Sequence, residues 1–270
     1  MGKTPPCADL IIEKKIPRVI IGTVDPHPCV AGKGIEKLKN AGCDVITGIL
    51  TDECKEINRR FLTFHHKKRP YIILKWAQTA NKFVDKIRNI EEQEKPVWIT
   101  DEIARIAVHK QRSTEGAIFI GTKTALKDNP SLTLRDWYGE QPIRIVTDLN
   151  DKFPSHLNVF DGKAKTITIS KTDNKSKINS LFVSDKKPSN VIQSLLDFLY
   201  REKVLSVIVE GGPNTLQNFI DLNLWDEAHV YTGQLIFKDG IKAPFFDVTN
   251  AITLEKFPNS ELTIFRNHKE

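Results

Sequence analysis

Hydrophobic positions along the chain switch between a two-residue and a 3.6-residue period, and the switches outline its elements. Cys7 to Lys15 reads as a short helix behind two prolines. Arg18 to Val24 is a β-branched run of strand length, closed by the breaker string DPHPCVAGKG. A helix is predicted from about Ile35 to Asn40 with Gly42 closing it, followed by a buried strand over Cys43 to Gly48. Another helix, with Asp52 and Glu53 in its first turn, is predicted from Thr51 to about Phe64. Such strand–helix alternation marks a parallel α/β edge. About 65 residues with two strands cannot cover both faces of a parallel sheet, so this segment is too small to stand alone.

A second region begins at Pro70 with the buried strand YIILKWAQ and continues through the polar stretch NKFVDKIRNIEEQEKP. Thr100 is the expected N-cap of a helix lasting to about Arg112, with Asp101 and Glu102 suiting its positive end. Strands are predicted at GAIFIG, IRIVTD, TITIS and SVIVEG. An amphipathic helix from about Ser189 to Glu202 precedes the last of them, and a further helix starts after Gly211-Gly212-Pro213. The β-rich stretches EAHVYTGQLIF and ELTIFRN close the chain without an intervening helix, which suggests an antiparallel edge on an otherwise parallel sheet.

Length and composition narrow the class. At 270 residues the chain suits two domains. Its apolar runs, such as Tyr71 to Ala77, fall far short of the ~20 residues of a membrane span, and no secretory signal pattern opens the chain. A soluble, cytoplasmic protein is expected. The four cysteines, Cys7, Cys29, Cys43 and Cys54, include no CxxC pair and read as reduced thiols. Of the net charge of +6, residues 1–70 contribute most, with 13 Lys/Arg against 8 Asp/Glu, whereas residues 71–270 hold 27 against 26. That excess is densest in HHKKRP and lacks interleaved aromatic stacking platforms, so nucleic-acid binding is not expected.

Chemistry concentrates at strand ends. In VIVEGGPNTLQNFI a buried strand ends at Glu210, and Gly211 and Gly212 let backbone amides approach an anion at a helix start; an ordinary tight strand-to-helix turn has the same pattern. In GTKTALKDNP, hydroxyls and amides offer contacts to a cofactor phosphate or ribose. Arg112, ending its helix, and Arg135, presented inward by the prolyl turn of DNPSLTLR, suit bidentate grip of a phosphate; the plain alternative is two surface charges. Lys75 interrupts an apolar strand and must find an anion, a lumen or a ligand, because unpaired burial is costly. His65, His66 and His109 read as solvated or structural. Cys7 sits at a helix start that favours thiolate, but one thiolate fixes no metal.

Together these residues resemble the bifunctional pyrimidine deaminase/reductase family of riboflavin biosynthesis. GKTPPCADLIIEKKIPRVIIGTVDPHPCVAGKGIEKLKNAGCDVITGI is similar to the second half of that family's cytidine-deaminase-like zinc domain, and WITDEIAR, LKDNPSLTLR and VEGGPNTL occur in the order of its reductase domain. The resemblance implies a partial deaminase domain over residues 1–66. Residues 67–270 would form a dihydrofolate-reductase-like α/β domain, a mixed, mostly parallel sheet flanked by helices. It implies NADPH-dependent reduction of 5-amino-6-(5-phosphoribosylamino)uracil at C1′ of the ribosyl group. Ala77, Trp98, Thr124, Asp128, Gly212, Pro213, Asn214, Thr215 and Leu216 would hold NADPH, the last five through amides at the helix start. Lys75, Arg112, Leu132, Arg135 and Glu210 would hold substrate, with Lys75 as electrophilic aid and Glu210 as orienter nearest the reacting sugar and pyrimidine. Cys7 matches a zinc ligand whose companion ligands would lie upstream, so zinc binding and deamination are not expected of this chain. Homodimers through the reductase domain are implied as well. Departures from the family pattern are Asn81 and Lys82 where Asp and Gly are usual, Pro96 where a serine is common, and Leu149 in place of a hydroxyl residue. They favour, as the second class of function, a non-catalytic nucleotide- or partner-binding module derived from the same fold.

Overall fold

The structure, a computed structural model, describes residues 7–25, 32–88, 97–172, 179–245, 247 and 251–267. Cys29, Pro96 and most of DPHPCVAGKG fall outside the described residues. The chain divides into two compact units, Met1–Arg69 and Pro70–Glu270.

The first unit runs α1 (Cys7–Glu13), β1 (Arg18–Ile21), α2 (Lys33–Asn40), β2 (Asp44–Thr47), α3 (Thr51–Ile57) and α4 (Arg59–Lys67). β1 and β2 pair in parallel, Arg18 opposite Asp44 through Ile21 opposite Thr47. Gly42 takes φ 84° just past α2, the left-handed stop expected of it. The strand expected to reach Val24 ends at Ile21. Gly22 lies so close to Cys54 that a Cβ there would stand 2.0 Å from Sγ, and the Gly22 carbonyl accepts the Thr51 hydroxyl at 2.9 Å. The single helix expected from Thr51 breaks at Asn58, whose side-chain amide donates to the Cys54 carbonyl at 2.8 Å. Ile20 and Ile46, neighbours in the register, remain 61% and 37% exposed, so among the described residues one face of this strand pair has no cover.

The second unit runs β3 (Tyr71–Gln78), β4 (Phe83–Asp85), α5 (Glu102–Arg112), β5 (Ala117–Ile120), α6 (Thr122–Asp128), β6 (Ile143–Thr147), β7 (Thr166–Ser170), β8 (Ser180–Phe182), α7 (Pro188–Arg201), β9 (Ser206–Val209), α8 (Pro213–Asp221), β10 (Glu227–Gly233), β11 (Ile241–Lys242), β12 (Ala251–Lys256) and β13 (Ser260–Arg266). One sheet has the order β12-β13-β10-β3-β9-β5-β6-β7-β8. From β10 to β8 every pairing is parallel, while β13 is antiparallel to both β10 and β12. The antiparallel edge is therefore present, with β12 as its outer strand. β4, β8, β11 and β12 have no counterpart in the sequence reading: three of them span only two or three residues, and β12 is exposed along its whole length.

Burial of one face by α7 and α8 gathers Ile72, Leu74, Phe119, Ile145, Val207 and Val209 against Leu195, Leu199, Leu216 and Phe219. Side chains alternate along a strand, so Ile73, Lys75 and Ala77 point to the other face. There α5 packs through Ala104 and Val108 beside Tyr231, and Ala125 of α6 packs on Ile118, Ile120 and Ile208. The N-cap of α5 is Asp101 rather than Thr100. One Asp101 oxygen accepts the Ala104 N–H at 2.9 Å and the other accepts Ser260 Oγ at 2.7 Å, so the same carboxylate starts the helix and fastens it to β13. No helix among the described residues is long and apolar enough to cross a membrane.

Candidate active site

The chain leaves β3 for β5 on one side, builds outward through β8, then returns to place β9 between β3 and β5 and β10 on the other flank of β3. Carboxyl ends of parallel strands at such a reversal of order form a crevice suited to ligands. Register decides what lines it. Leu74 pairs with Val209, the last residue of β9, so Lys75 in β3 and Glu210 just past β9 stand side by side. Lys75 is paired on its other side with His229. Arg112, the last residue of α5, reaches over the strand ends and forms a two-pronged ion pair with Glu210: Nε to Oε1 at 3.0 Å and Nη2 to Oε2 at 2.6 Å. Both side chains are only 11% exposed. Lys75 Nζ lies 5.4 Å from the centre of the Tyr231 ring.

These neighbours set each other's charge. Burial would raise the Glu210 carboxyl, but the Arg112 guanidinium and then Lys75 more than offset it and hold its pKa at about 2. Burial lowers the Lys75 ammonium, Glu210 opposes and Arg112 adds to the lowering, so this amine gives up its proton more readily than an ordinary lysine. Burial, reinforced by the negative Glu210, pushes the Tyr231 phenol well above its usual value. At neutral pH Glu210 is thus a fixed anion and Tyr231 a fixed phenol, and Lys75 is the member of the group whose proton its surroundings loosen.

His109, one turn before Arg112, is buried at 2% exposure. Its Nδ1 accepts the Arg135 backbone N–H at 3.2 Å, and Nε2 lies 3.5 Å from Asp136 Oδ2. Desolvation, then the positive Arg112, lowers its pKa from 6.5 to about 4, with Asp136 opposing. The unfolded chain takes up this proton near 6.5 and the folded chain only near 4. Stability is therefore full above about 6.5 and falls as pH drops toward 4, by up to about 3 kcal/mol. Glu210, ionised down to about 2 against an ordinary 4.5, continues the loss at lower pH. Urea midpoints measured from neutral pH to about pH 4 should show this decline, and His109→Asn should flatten its upper part; a flat wild-type profile would contradict it.

The glycine turn after β9 lies beside the start of α6. The Gly212 N–H donates to Thr124 Oγ1 at 2.8 Å. A Cβ on Gly211 would stand 2.6 Å from the Thr215 Cβ, and one on Gly121 2.5 Å from Thr215 Oγ1, so small residues let the two strand ends and α8 meet. Gly121, Thr124, Gly212 and Thr215 are thereby brought together, and the exposed Asn214 and partly buried Pro213 continue this rim. Leu216 is fully buried under the sheet, and its N–H donates to the Gly212 carbonyl at 3.2 Å. Asp128 is held by Arg88, whose guanidinium also binds Asp85 at 2.6 Å. Ala77 lies in the Tyr231 cluster under α5. Trp98 is 64% exposed, with the Arg105 guanidinium 5.8 Å from its ring centre. Leu132 is buried with φ 54°, and Arg135, expected to turn inward, is exposed, with its backbone rather than its side chain fixed by His109. Cys7 is exposed, and no group of three or more His, Cys, Asp or Glu among the described residues is placed to hold a metal ion.

The departures acquire local reasons. Asn81 Oδ1 accepts the Thr79 hydroxyl at 2.8 Å, while its Nδ2 donates to the Phe237 carbonyl at 2.7 Å, a bond no carboxylate makes. Lys82 takes φ 63°, a conformation glycine adopts without strain. Leu149 packs against the core on the α7–α8 face. His109, Tyr231 and Arg88 lie among or beside the site residues without having been singled out for it in the sequence. For His109 the signal was present: Arg105, His109 and Arg112 fall at spacings of four and three on a helix, hence on one face.

Residues 70–249 match the family model described as the RibD C-terminal domain. The riboflavin biosynthesis protein RibD of Aquifex aeolicus is 37% identical over 246 residues, covering 89% of this chain and 67% of that protein. Its counterpart in Actinobacillus pleuropneumoniae is 34% identical over 240 residues, covering 85% and 62%. The crystal structure of a diaminohydroxyphosphoribosylaminopyrimidine deaminase/5-amino-6-(5-phosphoribosylamino)uracil reductase from Thermotoga maritima matches with a TM-score of 0.85 at 33% identity, covering 98% of this chain and 76% of that one. The riboflavin biosynthesis reductase Rib7 of Saccharomyces cerevisiae shares the fold, with a TM-score of 0.58 at 16% identity, covering 78% and 99%. The chain spans about two thirds of the length of the curated relatives it matches. With a sheet of this topology and a family match over most of the second unit, the chain belongs to the RibD family of riboflavin biosynthesis, and its residues from 70 onward carry that family's C-terminal domain.

Proposed function

We propose that the Pro70–Glu270 unit is an NADPH-dependent reductase that converts 5-amino-6-(5-phosphoribosylamino)uracil to its 5-phosphoribitylamino product. The observation that carries this reading is the convergence of Lys75, Arg112 and Glu210 at the ends of β3 and β9, beside the Gly211–Gly212 turn, in a chain of this family. Gly212, Pro213, Asn214 and Thr215, with Thr124, Ala77, Trp98 and Asp128, would hold NADPH, and the buried Leu216 anchors their turn from below. The small-residue rim between Gly121 and Gly212 and the positive end of α8 fit a dinucleotide phosphate, with the Thr215 and Leu216 N–H groups themselves turned to the Gly212 carbonyl. Bound there, NADPH supplies the hydride for C1′ of the open-chain ribosyl group.

The chain's own residues do the rest. Arg112 uses its Nε and Nη2 on Glu210, so the Nη1 side of the guanidinium is the part that meets the substrate phosphate, together with Arg135. Glu210, fixed as an anion, orients the sugar and pyrimidine by accepting their hydrogen bonds. Lys75 hydrogen-bonds the reacting group and delivers the proton that balances hydride arrival. The Leu132 backbone borders the same loop. Two copies would pair through this unit, for which the exposed Ile252 and Leu254 on the edge strand β12 offer apolar surface. For Met1–Arg69 we propose a partial deaminase-like unit, in which exposed Cys7 has no metal-binding companions among the described residues. Mixing the protein with 5-amino-6-(5-phosphoribosylamino)uracil and NADPH should oxidise one NADPH per ribitylamino product formed. NADPH binding without turnover would favour the non-catalytic module instead.

A further inference from the structure

We propose that His109 is a positioning residue for the loop carrying Arg135, fixing by one hydrogen bond to that loop's backbone the spacing between the two guanidinium groups that take the substrate phosphate. The inference rests on the reductase reading and assigns the source of its phosphate selectivity.

The loop from Ser131 to Gly139 belongs to no helix or strand, yet its backbone is pinned at several points. The Ser131 carbonyl accepts Arg144 Nη1 at 3.1 Å, and the Leu134 N–H donates to Gln141 Oε1 at 2.8 Å. Gly139 rests on Ser113, where a Cβ would come within 2.9 Å of the serine Cβ. At the functional position itself the pin is His109: Nδ1 takes the Arg135 N–H, and Asp136 is held by Arg105 Nε at 2.9 Å from the preceding turn of α5. Arg112 ends that same helix. One phosphate cation is thus part of α5, and the other is tied to α5 through an imidazole. His109 is too buried to touch a ligand, and its Nδ1 lone pair is occupied, so it acts through Arg135 and takes no proton from substrate. Its depressed pKa keeps that nitrogen an acceptor throughout the neutral range.

The test compares His109→Leu with His109→Asn, whose Oδ1 takes the place of Nδ1, and with His109→Gln, whose carbonyl falls nearer Nε2. Leu and Gln should raise KM for the phosphorylated substrate about tenfold with kcat within about threefold of wild type, and Asn should restore KM to within about threefold. Calorimetric affinity for ribose 5-phosphate should follow the same order. Equal affinity in all variants, or a loss in kcat as large as that in KM, would overturn the proposal. If wild type binds ribose 5-phosphate with the expected ranking but never turns over, the reductase reading fails while His109 keeps its positioning role. Should His109→Leu fail to fold, the Asn–Gln contrast decides.

Discussion

Replacing Lys75 by alanine is expected to lower kcat by at least about a hundredfold while changing KM by less than about tenfold. The expectation follows from the charge states of its neighbours. Glu210 is already ionised at any pH above about 2, and the Tyr231 phenol holds its proton more tightly than usual, so neither replaces the lost acid. Both Glu210 oxygens are engaged by Arg112, which survives the substitution and continues to serve the phosphate. Lys75→Arg keeps a positive charge but cannot release a proton near neutral pH, and should be nearly as slow as alanine. Steady-state kinetics with the authentic substrate separate the two parameters. Equal losses in kcat and in affinity would move Lys75 from proton donor to simple binding residue.

The second large effect concerns stability. Arg144 is fully buried on β6. Its guanidinium donates to Thr166 Oγ1 at 2.9 Å, to the carbonyls of Ser131, Asn158 and Ala164 at 3.1, 3.3 and 2.8 Å, and to Asp161 Oδ1 at 2.8 Å. Arg144→Met fills similar space but strands the Ser131 and Ala164 carbonyls, while the Asn158 carbonyl keeps the Asp161 N–H and the Asp161 carboxylate keeps the Lys163 N–H. At about 1–3 kcal/mol for each buried group left unpaired, the change costs about 3–5 kcal/mol. In a protein of this size that corresponds to a fall in Tm of roughly 10 °C. Because one of the stranded carbonyls is that of Ser131, the loop bearing Leu132 and Arg135 should loosen as well, and KM should rise in whatever fraction remains folded. Chemical denaturation of Arg144→Met gives the cost directly; a loss under about 1 kcal/mol would mean that water replaces the guanidinium.

The parts of this molecule that were legible in the sequence are those governed by local pattern. YIILKWAQ, SVIVEG and GAIFIG could only be buried strands, and a lysine within the first of them had to be explained by chemistry. Gly211 and Gly212 announced a close approach of backbone. What sequence pattern withheld are the pairings that span the chain. Arg112 and Glu210 are 98 residues apart, and only the insertion of β9 between β3 and β5 makes them partners. Arg88 and Asp128, 40 residues apart, meet for the same kind of reason, so a residue expected to serve the cofactor also carries an ion pair that local pattern does not report. Arg144 looked like an ordinary polar position of an alternating strand, because nothing in IRIVTD reports that a loop and a short helical turn close over it. Asp101 rather than Thr100 caps the helix through the local Ala104 N–H, and its second oxygen is taken by Ser260, a contact between elements far apart in sequence.

The most direct measurement of whether Lys75 and the Gly212 turn serve one hydride transfer is the reaction run with NADPH carrying deuterium at both nicotinamide C4 positions and analysed by mass spectrometry and proton NMR. The expected product is the 5-phosphoribitylamino pyrimidine carrying one deuterium at C1′, with Lys75→Ala forming the same product far more slowly. A product without deuterium at C1′, or Lys75→Ala turning over at the wild-type rate, would contradict it.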